Sequence, residues 1–298
     1  MTATWRQVAR KDFEDAARSR VLWGLSAVFV AFLVMSLLSA EQLFPERVTV
    51  DASVALTGVS MLAQLFVPGV ALAAGYMAVA GERQSGSLRV LLAYPFSRTS
   101  VVAGKLVGRS LVTVTALAVG FVVASGLVAL RYGLPDLVTY AQWLGSGVLL
   151  ALAFTGIAVG GSAAAATRGR AMALTIGSFV AMVFFWKPVA VGVYYAANGS
   201  LPGVRVDTWY LLLERLNPLA AYRELAGGTL GHYVQAVPRL PLEDVPADAP
   251  QGLLATSNRV AGEVPCYLQD WAAAVVLVAW GVVPLLLGVR YFERADLG

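Results

Sequence analysis

The stretch LVGRSLVTVTALAVGFVVASGLVAL, from Leu106 to Leu130, decides the fold class of this chain. Its only charged residue is Arg109, near its start, and it lacks the polar–apolar alternation of a half-buried β-strand. A helix rises 1.5 Å per residue, so about 20 apolar residues cross a hydrocarbon layer of about 30 Å. Because lipid offers an open backbone no hydrogen-bond partner, we predict a transmembrane helix here.

Five further stretches of similar length and composition flank this one. They are residues 21–39, 54–80, 143–166, 171–196 and 271–289. Of the 298 residues, 58% are hydrophobic and 13% are charged, whereas a typical soluble domain has about 25% charged residues. We therefore predict an all-α integral membrane protein with six transmembrane helices in a single domain, residues 1–298.

The distribution of charge sets the expected orientation. If the N-terminus is cytoplasmic, the inner segments 1–20, 81–110, 167–170 and 290–298 hold 14 of the 22 Lys and Arg residues and 6 of the 18 Asp and Glu residues. The formal charge is then +8 inside and −4 outside, as the positive-inside rule requires. We expect a multi-pass plasma-membrane protein with both termini in the cytoplasm, whose basic segments face anionic lipid and not nucleic acid.

The N-terminal segment 1–20 repeats apolar residues at three- and four-residue steps. This pattern is typical of an amphipathic helix lying in the inner headgroup layer, and Trp5 and Phe13 would anchor it there. The alternative is an unpacked tail. Three acidic residues and the long apolar run that follows argue against a secretory signal peptide.

The outer segment 197–270 is the largest piece expected outside the membrane. We predict two short helices in its first part. Asp207 would cap the first, and Asn217 would cap the second, which would end at Gly227-Gly228. The later part, from residue 231, is rich in proline and is expected to be irregular.

Three features inside or near the spans suggest specific roles. Gly156 and Gly160 form a small-xxx-small pair that permits close helix contact. Lys187, within the fifth span, either reaches the interface or an acidic partner, or it lines a substrate path. Cys266 and His232 are the only residues of their types, so an internal disulfide is excluded and a protein metal site is disfavoured.

The segment after the second span reads GERQSGSLRVLLAYPFSR, from Gly81 to Arg98. Leu88, Leu91 and Leu92 follow the spacing of one helix face, and a proline soon after would end that helix. Such a short helix is not stable alone and needs a lipid or protein surface on which to dock.

This segment resembles the loop between the second and third spans of ABC exporter permeases of the type-2 family, with the pattern E-R-x-x-G-[ST]-L-[RK]-x-L-L, then P, [ST]-R and G-K. The matching residues are Glu82, Arg83, Gly86, Ser87, Leu88, Arg89, Leu91, Leu92, Pro95, Ser97, Arg98, Gly104 and Lys105. The family's outer L-N-P-x-x-A-Y-R stretch matches Leu216, Asn217, Pro218, Ala221, Tyr222 and Arg223. The resemblance covers the whole chain. Within the family, the chain is similar to the copper-processing permeases of nitrous oxide reductase maturation, although it lacks clustered Met, Cys or His residues.

The resemblance implies the export-type permease subunit of an ABC transporter. Two six-span halves, identical or different, would work with a separate ABC ATPase subunit, without a cofactor, metal or catalytic site in this chain, and with room for an accessory protein on the outer face. The short helix at about 87–94, within the loop 81–100, would be the coupling helix that sits in a cleft of the ATPase. The residues implied in this coupling are Glu82, Arg83, Gly86, Leu88, Arg89, Leu91 and Leu92.

Two other functions stay open on the residues alone. A membrane-embedded enzyme or scaffold without an ATPase would be supported by a catalytic pair in the spans, and none is visible. An ion-coupled carrier usually needs a carboxylate within a span, and no acidic residue falls clearly inside one.

Overall fold

The computed structural model describes residues 5–43, 51–93, 96–133, 135–232, 242–246 and 251–295. The helices of these ranges are α1 (Trp5–Ala17), α2 (Arg20–Leu43), α3 (Ala52–Gly75), α4 (Ala80–Ser85), α5 (Ser87–Leu92), α6 (Arg98–Tyr132), α7 (Leu137–Ala164), α8 (Arg168–Val180), α9 (Trp186–Asn198), α10 (Thr208–Arg215), α11 (Pro218–Leu230), α12 (Thr256–Arg259) and α13 (Asp270–Arg294). A π-helical segment, Ala181–Phe185, joins α8 to α9, and two 3₁₀ turns cover Gln251–Leu254 and Cys266–Leu268.

Six helical stretches in the described ranges are long and apolar enough to cross a membrane. They are α2, α3 continued through α4, α6, α7, α8 continued through α9, and α13. The predicted all-α membrane fold with six spans is therefore confirmed.

The central helix of the bundle is α7, which contacts α3, α6, α8, α11 and α13. Its contact with α13 depends on glycine, as the spacing of Gly156 and Gly160 predicts. A Cβ atom added at Gly156 would overlap the carbonyl oxygen of Gly281, and one at Gly160 would overlap the carbonyl oxygen of Pro284. The two backbones therefore pack directly against each other, which is the use of small residues expected between membrane helices.

The two helices predicted for the segment 197–270 form where the sequence predicts them, with two corrections. Asn217 caps α11, since its Oδ1 accepts a hydrogen bond from the Leu219 amide at 2.8 Å. Asp207 precedes α10 without capping it, because its Oδ2 instead accepts from Asn198 Nδ2 at 2.9 Å. The second helix runs past Gly227-Gly228 and ends at Gly231, whose φ of 70° is left-handed. The proline-rich residues 233–241 and 247–250 lie outside the described ranges.

Candidate functional site

The predicted coupling segment forms two short helices where the sequence suggests one. Gly86 separates α4 from α5 and ends α4 with a left-handed φ of 79°, which favours glycine. The side-chain hydroxyls of Ser85 and Ser87 lie 2.9 Å apart, and both donate to the carbonyl oxygen of Glu82. These bonds fix the turn between the two helices.

Leu88 faces the helix bundle and not solvent. Its side chain is 1% exposed and belongs to a buried cluster with Val79, Val101 and Phe292, against which Leu91 also packs. Leu88 therefore attaches the coupling segment to the membrane helices.

The outward face of the coupling segment carries the polar residues Gln84, Ser85 and Ser87, all of them exposed, while Arg83 is half-buried. The side chains of Arg89 and Leu92 lie outside the described part of the structure. An ATPase contact through any residue of this segment stays a prediction.

Lys105 connects the coupling segment to the N-terminal helix. Its side chain, on α6, is 2% exposed, and its Nζ lies 2.8 Å from Glu82 Oε1 and 3.2 Å from Asp12 Oδ1. An isolated charge at this depth would be costly, so the two carboxylates are what keep the ammonium there. Glu82, predicted as an ATPase contact, thus already has a partner within the permease.

Arg109 extends this network by one helix turn of α6. Its Nε and Nη2 donate to the two oxygens of Asp12 at 2.7 and 3.0 Å, a bidentate pairing that fixes the orientation of both groups. Its Nη1 donates to the carbonyl oxygen of Ala74 at 2.7 Å, near the end of α3. We name the four residues Glu82, Lys105, Asp12 and Arg109 the inner ion network, after the side of the membrane that the charge distribution predicts for them.

The helix α1 forms as predicted, and its apolar face packs on α6. Val8, Ala9 and Ala16 are buried, whereas Trp5 remains 42% exposed. The close approach requires glycine, because a Cβ atom at Gly104 would lie 2.6 Å from Val8 Cβ. A headgroup location for the exposed face of α1 stays a prediction.

Arg98 binds the C-terminal end of the last span to the start of α6. Its Nη1 donates to the carbonyl oxygens of Phe292, Glu293 and Ala295 at 2.6, 3.0 and 2.8 Å. These carbonyls lie at the end of α13, where the regular helical hydrogen bonds run out, and the Phe292 carbonyl also accepts from the Ala295 amide at 3.2 Å. Arg98 of the loop motif therefore caps α13, whereas Ser97 caps α6 itself, since its Oγ accepts from the Ser100 amide at 3.0 Å.

A hydroxyl of α7 holds the start of α4 in a similar way. Ser162 Oγ, fully buried, accepts from the amides of Val79 and Ala80 at 3.0 and 3.1 Å. The coupling segment is thus tied to α1, α6, α7 and α13 at once.

Sequence reasoning did not identify Asp12 or Ser162 as site residues, nor Gly108 on α6, where an added Cβ atom would lie 2.8 Å from the Ala9 carbonyl oxygen. A signal was present for Asp12, which shares a helix face with Val8 and Ala16 at four-residue spacing and so places a charge within an apolar stripe. Ser162 gave no signal, since a serine on a membrane helix normally bonds its own preceding turn.

Lys187 lies in a second charged cluster, on the opposite side of the membrane. Its Nζ pairs with Glu214 and with Glu243, the latter at 2.8 Å, and Arg259 pairs with the same two carboxylates at 3.2 and 2.9 Å. Tyr210 donates to Glu243 at 3.0 Å. We name these five residues the outer ion cluster. This arrangement favours the pairing interpretation of Lys187 over a substrate path.

Burial and neighbouring charges shift the pKa values of Glu243 and Tyr210 in the outer ion cluster in opposite directions. Burial acts to raise the pKa of Glu243, but the charges of Lys187 and Arg259 outweigh it and hold that pKa below its ordinary value. Burial, and then the charges of Glu214 and Glu243, raise the pKa of Tyr210 far above its ordinary range. Tyr210 therefore stays a hydrogen-bond donor at every physiological pH.

Comparison with known proteins gives a concordant result. Residues 6–297 match the family described as "ABC-2 family transporter protein". The "Probable ABC transporter permease protein NosY" of Pseudomonas aeruginosa is 29% identical over 233 residues, which cover 75% of this chain and 81% of that protein. The protein of the same name from Stutzerimonas stutzeri is 28% identical over 231 residues, covering 75% and 80%.

Proposed function

The chain belongs to the ABC-2 family of transporter proteins and is a permease subunit of an ABC transporter, and we propose that it exports its substrate with energy delivered through α4 and α5. Membership of this family implies an ATPase partner. In our proposal that partner is a separate chain that docks on the exposed face of Gln84, Ser85 and Ser87.

The inner ion network is the observation that carries this proposal. A segment that only solvated a loop end would need no buried lysine, yet Lys105 joins α4 to α1 and α6. Together with Arg98 and Ser162, the network makes the coupling segment part of one rigid unit with four other helices. A push on α4 and α5 would therefore reach the spans as a rigid-body displacement and would not be absorbed locally.

The remaining parts of the proposal follow from charge and from the family. We place the N- and C-termini in the cytoplasm, because this orientation puts the basic segments inside. We propose a dimer of two six-span chains, with the outer segment 197–270 available to an accessory protein. The names of the relatives state no substrate, so a role in copper processing stays a prediction.

Co-purification tests the docking surface. The tagged protein is isolated from its native membrane in mild detergent, and its partners are identified by mass spectrometry. We expect an ABC ATPase in the wild-type sample, and about tenfold less of it with Gln84→Trp, because a bulky ring on the exposed face costs the interface at least about 1.4 kcal/mol. The matched control is Leu137→Trp, at an exposed position on the opposite side of the membrane.

Each outcome of this experiment is decisive. An ATPase lost with Gln84→Trp and retained with Leu137→Trp supports both the transporter partner and the docking face. An ATPase retained in both variants excludes docking on this face. No ATPase with a folded and abundant wild-type protein contradicts the ATPase partnership itself.

A further inference from the structure

The fifth span is interrupted near its middle. In the segment Ala181–Phe185 the hydrogen bonds change register, so that the Trp186 amide donates to the carbonyl oxygen of Ala181, five residues earlier. The Ala181 amide is shared between the carbonyl oxygens of Gly177 and Ser178. Such π-helical turns are rare within α-helices and frequently occur at functional sites.

Asn217 binds directly to this interruption. Its Nδ2 donates to the carbonyl oxygen of Met182 at 2.7 Å, while its Oδ1 caps α11, and its side chain is buried. The start of α11 is itself fixed, because Gln64 on α3 donates to the carbonyl oxygen of Leu219 at 2.7 Å. The Asn217 amide thus links the π-helical segment to α11, and the Gln64 amide links α11 to α3.

The outer half of the span, α9, has further attachments. Trp186 Nε1 donates to the carbonyl oxygen of Leu213 at 3.0 Å, and Lys187 belongs to the outer ion cluster. Tyr194 stacks on Trp209 with ring centroids 5.6 Å apart. The outer half is therefore held to α10 through hydrogen bonds, ion pairs and ring contacts.

The inner half, α8, is held by packing without polar links to other helices. It packs against α7, α3 and α4 with Ala171 and Thr175 buried, but within the described ranges it makes no hydrogen bond or ion pair with another helix. Its buried inner end touches the coupling region, where Ala171 forms a small cluster with Ala80 of α4 and Ala165. The inner half thus touches the segment proposed to receive the ATPase.

We propose that Asn217 is a positioning residue that fixes the fifth span at its π-helical segment, so that α8 swings as an arm about that point while α9 stays still. The swing belongs to the resting permease, so it does not depend on the proposed ATPase partner. If that partner exists, movement of α4 would drive the arm through Ala80 and Ala171.

Distances between spin labels measure this motion directly. The first label pair, Leu174→Cys with Val193→Cys, crosses the interruption. The control pair, Leu111→Cys with Leu130→Cys, has the same 19-residue separation, about 28 Å, along the uninterrupted helix α6. All four positions are exposed, and Cys266→Ser removes the only native thiol. The permease is reconstituted alone in lipid nanodiscs, diluted with unlabelled protein.

The wild-type comparison tests the arm, and two substitutions test Asn217. We expect the distance distribution across the interruption to be about twice as wide as in α6, as for a hinge between two rigid segments. Asn217→Ser keeps an oxygen that can cap α11 but loses the donor to Met182, so it should widen the distribution further. Asn217→Ala loses both bonds, and the control pair should respond to neither change.

Three results would overturn the inference. Equal widths for the two label pairs would show that the fifth span is rigid. A wide distribution that only Asn217→Ala broadens would assign the effect to capping of α11 and not to the bond with Met182. A matching change in the α6 pair would show general loosening of the bundle.

Discussion

At the scale of single residues, the burial of Lys105 makes the stability of the protein sensitive to substitution of this residue. Lys105→Met keeps the length of the side chain and removes the cation shared by Asp12 and Glu82. Since one partner of a buried pair is then missing, we expect a loss of about 3–5 kcal/mol in the free energy of unfolding. Thermal unfolding of the purified protein in detergent micelles measures the change.

The exposed pair Arg10–Glu14 on α1 provides the matched control. Its side chains are 84% and 53% exposed, so Arg10→Met should cost at most about 0.5 kcal/mol. Adding Glu82→Gln to Lys105→Met should recover part of the lost stability, because one unpaired carboxylate disappears. Equal thermal unfolding midpoints for Lys105→Met and Arg10→Met would contradict a structural role for the inner ion network.

The outer ion cluster predicts a specific loss of stability in acid. The pKa of Glu243 is lower in the folded protein than its ordinary value of 4.5, so the folded state binds this proton less readily than the unfolded state. The resulting stabilisation is fully present above about pH 4.5 and is lost as the pH falls through the folded pKa. The unfolding midpoint between pH 7 and pH 3 should therefore fall more steeply for the wild type than for Glu243→Gln. If the unfolding midpoints of the two proteins fell in parallel with pH, Glu243 would make no contribution to the loss of stability in acid.

At the scale of helices, the contact between α1 and α6 depends on the absence of a side chain. At Gly104, an alanine Cβ would lie 2.6 Å from Val8 Cβ and 2.7 Å from the carbonyl oxygen of Trp5. We expect Gly104→Ala to cost about 1–3 kcal/mol and to release α1 for proteolysis. Gly126→Ala, in the same helix with no neighbouring atom within 4 Å, should instead gain up to about 1 kcal/mol. Equal protease resistance in the two variants would show that α1 is not docked through Gly104.

The sequence predicts a helix contact only where the pattern that signals it lies within a single helix. The apolar lengths predict all six spans, and the four-residue spacing of Gly156 and Gly160 predicts a close contact, because both signals lie within one element. The same spacing at Gly104 and Gly108 is equally visible, but nothing local states that α1 is the partner. Arg98 could not be predicted as a cap for α13, since 194 residues separate it from the Phe292 carbonyl that it binds.

Prediction from the sequence has the same limit at Leu88 of the coupling segment. The leucine spacing predicts that Leu88 shares a helix face with Leu91, and the structure agrees. The leucine spacing does not show whether that face packs on the helix bundle or on a partner protein. In the structure it packs on the bundle, in the buried cluster that contains Val101 and Phe292. A helix face alone therefore identifies a docking surface without identifying its partner.

At the scale of the whole molecule, the native cysteine reports the orientation of the protein in the membrane. Cys266 is exposed, and it precedes α13, so a cytoplasmic C-terminus requires it to face outward. A membrane-impermeant maleimide should therefore label the wild type in intact cells. In a Cys266→Ser background, Gln84→Cys lies on the opposite side of the bundle and should react only after the membrane is permeabilised. The reverse pattern would place the basic segments outside, and the ATPase could then not reach α4 and α5.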